Sequence, residues 1–360
     1  MSSSEILIQR ITREMSLYTP ITLLIFGSCG SFCNFITFTS KQLKTSSCAF
    51  YFLCTAITEL IAFYFGLLSR LAGDRLGSTL FTTNLTYCKI RSYLVVALPS
   101  LVTYMILLTT IDRFMSTTTQ VRYRSFSQLK VAHRLAPLVI IISMILSSHM
   151  LVFYNFFPAC IAQPGIYSIV YSVYLIIWTG MLPNGLILLF SLLTFRNVVK
   201  TKHRVGVTTT TTTTTTTKMS SQQRHTQRTE SQLIVMMLSQ ATLSSCLDLI
   251  RIALYAYFVL STNLPKSNYH RTVDGLLLQI SIILLYGNCS KSFYVYTLTS
   301  GFFRKIFRHK IYYYYRKILY ISHINRDYDW NSTFFDQSTL YASTRHRELQ
   351  TIPDRQITKY

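Results

Sequence analysis

Seven long apolar blocks punctuate this chain, and they constrain its fold more than any other feature. They lie at roughly 18–39, 48–71, 92–115, 135–157, 166–195, 231–260 and 273–299. Each reaches the ~20 residues that a helix needs to cross the hydrocarbon core of a bilayer. Backbone polar groups in lipid must bond internally, which leaves a helix as the only option for a block of this kind. The expectation is an all-α membrane protein: a seven-transmembrane helix bundle filling residues 18–299, with no room for a second folded domain. Residues 1–17 are polar and mixed in charge, and they read as an extracellular N-terminal tail. No secretory signal peptide is visible, so the first span is expected to act as its own insertion signal.

Charge sets the orientation. A net charge of +22 would suggest nucleic acid in a soluble protein, but here it is distributed by topology. With the N-terminus outside, the inner loops and tail hold 25 of the Lys and Arg residues and the outer segments 8. That bias follows the positive-inside rule, and it survives when the long tail is discounted. No nucleic-acid partner is expected. The inner basic residues instead suit anionic lipid or an acidic protein partner. The sequon Asn84-Leu85-Thr86 falls in the first outer loop, so Asn84 is a candidate glycosylation site.

Two of the eight cysteines fall on the outer face, Cys88 at the start of the third span and Cys160 before the fifth. The outside is oxidising, which favours a bridge between them. The other cysteines sit in spans or at their edges and read as small packing residues. On the inner side, the third loop (196–229) contains ten consecutive threonines, Thr208 to Thr217, and is expected to be disordered. Residues 300–315 begin Ser300-Gly301-Phe302-Phe303-Arg304-Lys305-Ile306-Phe307-Arg308. This mix of aromatic and basic residues suits a short amphipathic interfacial helix. No cysteine follows Cys289, so no palmitoyl anchor is expected on it. Residues 316–360 read as a cytoplasmic tail, with Ser332, Thr333, Ser338, Thr339, Ser343 and Thr344 as phosphorylation candidates.

Charged groups within apolar spans are costly and call for a function or a partner. Asp112-Arg113-Phe114 closes the third span. Arg113 cannot lose its proton; Asp112 offsets it in part, and Glu230 at the inner end of the sixth span is a further partner. A pair broken by sixth-helix movement is a two-state element of the kind a transmembrane switch needs. The bland alternative is a charge pair that only snorkels. Glu59 sits deep in the second span and needs a partner or a proton. Asp248 and Arg251 are three apart on one helix face and are expected to pair, with a role either structural or in ligand binding. Asp74, Arg75, Arg91, Arg271 and Asp274 surround the outer mouth, as ligand contacts or as a solvated rim.

Over residues 18–310 the chain resembles the rhodopsin-like (class A) G-protein-coupled receptors. Arg113 lies 25 residues after Cys88, that family's spacing between its bridge cysteine and its Asp-Arg-Tyr motif. Phe114 replaces the tyrosine. Asn34 in Gly30-Ser31-Phe32-Cys33-Asn34 looks like the first-helix asparagine and Pro183 like the fifth-helix proline. Ser292-Phe293-Tyr294-Val295-Tyr296 stands where Asn-Pro-x-x-Tyr is expected, with Tyr296 seven residues before Phe303. The seventh-helix ending is similar to divergent invertebrate receptors of the FMRFamide-like neuropeptide type. Leu243-x-x-Cys246-Leu247-Asp248-Leu249 departs from Phe-x-x-Cys-Trp-x-Pro, losing the switch tryptophan and the kink proline, and Glu59 replaces an aspartate.

The resemblance implies a plasma-membrane receptor that binds an extracellular ligand and activates a heterotrimeric G protein. Asp112, Arg113, Phe114, Glu230 and Tyr296 would form the coupling switch, and arrestin would read the phosphorylated tail. It also implies an intramembrane cluster of Asn34, Glu59, Asn288, Lys291 and Ser292. Relatives hold sodium in that cluster; here Lys291 is expected to supply the cation to Glu59 instead. The family's amine-binding aspartate is absent, its position being Val95, and its retinal lysine is absent, its position being Tyr286. A peptide is then the leading ligand class, with Asp248, Arg251 and Asp274 as candidate contacts. A chemosensory receptor of the same fold is the alternative.

A transporter or channel is a further alternative. It predicts internal repeats or a line of polar groups through the bundle, and no repeat relates the two halves. No enzyme is expected, since the charged residues show neither paired carboxylates nor a nucleophile–His arrangement. No cofactor or metal is expected apart from the sodium that the resemblance implies near Glu59.

Overall fold

In the computed structural model, residues 3–74, 80–118, 120–156, 160–211, 221–261 and 265–321 are described. The phosphorylation candidates of the tail lie outside them. Seven helices are long and apolar enough to cross a bilayer: Ser3–Phe38, Ser47–Gly73, Leu85–Thr117, Leu129–Phe153, Ile166–Lys200, Glu230–Ser261 and Asn268–Ser290. Their outward faces stay apolar, with Ile145 64% and Ile169 68% exposed. A soluble chain does not leave such surfaces in contact with water over whole helices. The one sheet among the described residues is a hairpin of Tyr154–Phe156 and Cys160–Ala162, antiparallel, with Phe156 opposite Cys160.

The first helix begins well before the apolar block. The segment expected as a tail, 1–17, is helical from Ser3 and runs unbroken into the span. It contains no Gly or Pro, and Glu5 suits the positive amino-terminal dipole. Its half-buried residues Ile8, Thr12, Met15 and Ser16 fall on one face at helical spacing.

The segment between spans five and six, expected to be disordered, also differs from expectation in its described part. Span five continues as helix to Thr211, and the helix carrying span six starts at Ser221. Once nucleated by its packed part, a helix adds residues with little further cost. Of the threonine run, Thr212 to Thr217 lie outside the described residues.

Two spans contain a π-helical segment, Phe63–Leu68 in the second and Tyr174–Met181 in the fifth. Pro183 accounts for the latter, since it has no N–H to bond the preceding turn. The loosened carbonyls find side-chain donors instead. The Tyr104 hydroxyl donates to the Trp178 carbonyl (2.8 Å) and Asn184 Nδ2 to the Gly180 carbonyl (2.9 Å). In the second span, the Tyr286 ring lies directly on the backbone of Gly66, where a Cβ would come within 2.0 Å of the phenol oxygen.

The main core runs along the bundle axis. At one end it is aromatic: Phe38 stacks on Phe52 (5.3 Å between centroids), and Tyr296 packs against both and against Phe303. Phe303 and Ile306 belong to a helix, Gly301–Ile321, that follows the seventh span; they face the core while Lys305 and Arg308 face outward. Contacts divide the chain at Arg308. Residues 309–360 form a second unit, helical through Ile321, in which the Arg316 guanidinium lies 4.9 Å from the Tyr312 ring.

Candidate functional site

Arg113 is the most buried cation whose pairing joins two spans. It sits near the end of the third helix, 2% exposed. Its Nε and Nη2 donate to Asp112 Oδ2 at 3.1 and 2.7 Å, and its Nη1 pairs with the Glu230 carboxylate at the start of span six. The pair is lopsided. The Arg113 side chain is 3% exposed and that of Glu230 43%. Asp112 is held from its other side by the Ser127 hydroxyl (2.9 Å), and Arg113 Nη2 lies 3.4 Å from Ser47 Oγ. Phe114 turns to Phe190 of span five (5.5 Å between centroids). One guanidinium thus ties span three to the start of span six, with spans two and five closing the sides. Tyr296 stands in the aromatic cluster, 1% exposed, its hydroxyl without a hydrogen-bond partner among the described residues.

Deeper in the bundle, the polar residues expected as one cluster separate into two. In the first, Glu59 Oε2 accepts from Ser31 and Ser292 (2.9 Å each), and Asn34 Nδ2 donates to Ser292 Oγ (3.0 Å). In the second, Asp248 gathers Arg251 Nε (3.0 Å), Asn288 Nδ2 (3.0 Å) and Asn184 Nδ2 (3.4 Å). Asn288 therefore joins Asp248 and not Glu59. Lys291 departs from expectation as well. It supplies no bond to Glu59; its ammonium bonds Ser244 Oγ (2.8 Å) and both the carbonyl and the side chain of Asn288. The reason is local: the helix is interrupted at Lys291, between Ser290 and Ser292, and there the side chain reaches span six.

The sodium ion that the resemblance implies finds few open ligands in this arrangement. Among the described residues, Glu59 Oε1 and Asn34 Oδ1 are the oxygens left unpartnered in the first cluster. Hard cations take about six oxygen ligands. No group of three His, Cys, Asp or Glu suited to a metal occurs among the described residues.

At the opposite end, Cys88 and Cys160 form a disulfide, with Cα atoms 5.9 Å apart, packed with Met150 and Tyr154. Burial pushes the Tyr154 hydroxyl up to about 12, so it stays protonated. Asn84 is exposed and caps the third helix, its Oδ1 accepting from the Tyr87 N–H (3.0 Å). Asp274 is 6% exposed and paired with Lys266, which also donates to Ser261 (2.8 Å), so spans six and seven are joined there. Arg91 Nε donates to Ser69 (2.9 Å). Arg271 lines a cavity; the Asp74 side chain and Arg75 lie outside the described residues.

Several partners escape a reading of the sequence alone: Ser47 and Ser127 at Arg113, Ser31 at Glu59, Asn184 and Ser244 in the second cluster, and Lys266 at Asp274. Ser31 carried a signal, lying three residues before Asn34 on the same helix face. The serines elsewhere did not, because serine is common in every part of the chain. The sequence matches no known family model and no curated protein.

Proposed function

We propose that this chain is a seven-span receptor of the rhodopsin-like G-protein-coupled type, seated in the plasma membrane with its N-terminus outside. The observation that carries the reading is Arg113, buried to 2% and shared between Asp112 on its own helix and Glu230 on span six. A guanidinium stays charged at any working pH, and burying it without partners is expensive. Its cost is met in the closed state by carboxylates on two helices. If the inner end of span six swings outward, Glu230 leaves, Asp112 stays, and Arg113 turns toward the space vacated. An acidic or carbonyl-rich segment of a G protein is the partner suited to that space. The equilibrium between the two arrangements is what a ligand at the other end would bias.

Further features support the same reading. The disulfide fixes the hairpin to the start of span three. The second polar cluster links spans five, six and seven through Asp248, so span six is coupled to the bundle midway along its length. That cluster lies where the missing tryptophan and proline of span six would have acted. It offers a polar route from the ligand end to the Arg113 end. The leading ligand class is a peptide, the 301–308 helix segment lies at the inner interface, and arrestin reads the phosphorylated tail.

The test is nucleotide exchange on a purified heterotrimeric G protein, measured with the receptor in lipid nanodiscs against a panel of neuropeptides and chemosensory ligands. At least one ligand is expected to stimulate exchange, and Arg113→Ala is expected to abolish that response while surface expression persists. Undiminished exchange in Arg113→Ala would refute the switch. Substrate flux into vesicles, with no exchange, would assign the chain to transport instead.

A further inference from the structure

At the disulfide end of the bundle lies a cavity of about 780 Å³, walled by the amino-terminal turns of the first helix, the end of span two and the start of span seven. That is a volume for a small molecule or the end of a peptide, beyond what a lone ion needs. The wall carries three guanidinium groups, Arg13, Arg70 and Arg271, and no Asp or Glu among the described residues. Gln279 completes it. This residue is 4% exposed; its Oε1 accepts from Arg70 Nη2, and its Nε2 has no hydrogen-bond partner among the described residues. Arginine only donates, so the amide oxygen must face Arg70 and the amide nitrogen is a buried donor left over. A buried donor without an acceptor costs free energy that a bound acceptor would restore.

We propose that this cavity seats an acidic group, a carboxylate or phosphate, on the extracellular ligand. The three guanidinium groups only donate and cannot lose their charge, so an anion with two or more oxygens is their complement. The forks of Arg70 and Arg271 approach such a group from spans two and seven, and Arg13 approaches from the first helix. Asp274, buried near this end, is paired with Lys266. The inference rests on the receptor reading only for what binding then does. It makes the ligand's acidic end, and not a basic or amidated one, the part recognised here.

Binding is tested with full-length protein in nanodiscs of zwitterionic lipid, by melting temperature against increasing probe. The probes are succinate, for a soluble carboxylate, and a single-chain lysophospholipid with a bare phosphate headgroup, for a lipid source. A phosphocholine-headed analogue is the control. A saturable rise with succinate alone assigns a soluble acid, with the phosphate lipid alone a lipid headgroup, and with both the shared anion. Arg271→Gln is expected to weaken apparent affinity about tenfold, as loss of one charge-assisted bond does, and the triple Arg13→Gln, Arg70→Gln, Arg271→Gln variant to abolish it. Arg10→Gln, exposed and outside the cavity wall, should bind as wild type. Arg271 is itself exposed, so its variant tests the site even if the triple variant fails to fold.

No saturable rise with either probe, or a rise unchanged in Arg271→Gln, overturns the proposal. Because this readout contains no G protein, the two readings fail separately. Arginine-dependent binding without any nucleotide exchange would leave the site and remove the receptor. Ligand-driven exchange indifferent to the arginines would do the reverse.

Discussion

Replacing Glu230 by Gln isolates one half of the Arg113 arrangement. The Glu230 side chain is 43% exposed, so its pair with Arg113 is partly screened by solvent, whereas Asp112 holds the same guanidinium where both side chains are nearly buried. Half-exposed ion pairs contribute up to about 1 kcal/mol. Removing that much from the closed arrangement raises the ratio of open to closed about fivefold. Basal nucleotide exchange tracks that ratio while the open form is rare, so it should rise two- to fivefold without ligand. High salt should produce a smaller change in the same direction, since it screens the exposed pair.

Asp112→Asn is the contrast. It removes the buried negative charge that meets the guanidinium and leaves both Arg113 and the Ser127 hydroxyl a weaker, neutral acceptor. Breaking a buried pair from one side costs about 3–5 kcal/mol, and the expected result is a lower melting temperature and poor yield. The assay is GTP-analogue binding with purified protein in nanodiscs, normalised to folded receptor. Basal exchange equal to wild type in well-folded Glu230→Gln would refute the idea that this pair holds the closed state.

Two further outcomes follow from the packing and the orientation. Gly66→Ala puts a Cβ against the buried Tyr286 ring and should cost about 1–3 kcal/mol, whereas Gly275→Ala meets nothing within 4 Å and should be neutral or slightly stabilising; thermal melting of the two purified variants separates them. With the N-terminus outside, Asn84 is glycosylated, and a glycosidase-sensitive mobility shift should vanish in both Asn84→Gln and Thr86→Ala. Only Asn84→Gln also removes the helix cap, about 1 kcal/mol of stability. A chain with no such shift in either parent or variants would overturn the outer assignment of that loop.

The spans were legible because the hydrocarbon core imposes a length that few soluble segments meet. The bridge between Cys88 and Cys160 was legible because only two cysteines fall at that end. The pairing of Asp248 with Arg251 was also legible, since a separation of three on one helix fixes neighbours by geometry. The Arg113–Glu230 pair was expected and is present; what hid from the sequence were the other partnerships across helices. The resemblance placed Asn288 and Lys291 near Glu59, but which neighbouring helix a side chain reaches depends on packing and on the break at Lys291. The amino-terminal helix was hidden for another reason. It is polar on most sides, and its half-buried face becomes apparent only once spans two and seven stand beside it.

The π-helical segment of span two has an effect on everything beyond it. An α-helix turns about 100° per residue, and a π segment accommodates a surplus residue within one wider turn. Ser69 and Arg70 follow directly after Phe63–Leu68, so their bearing around the axis is set by how many residues precede them. Deleting one residue from that stretch and restoring ordinary winding would swing Arg70 by roughly a quarter-turn, away from Gln279, with no change in the chemistry of any side chain. In this part of the chain residue count matters as much as residue kind, and insertions or deletions there would displace Arg70 from Gln279 more sharply than most substitutions.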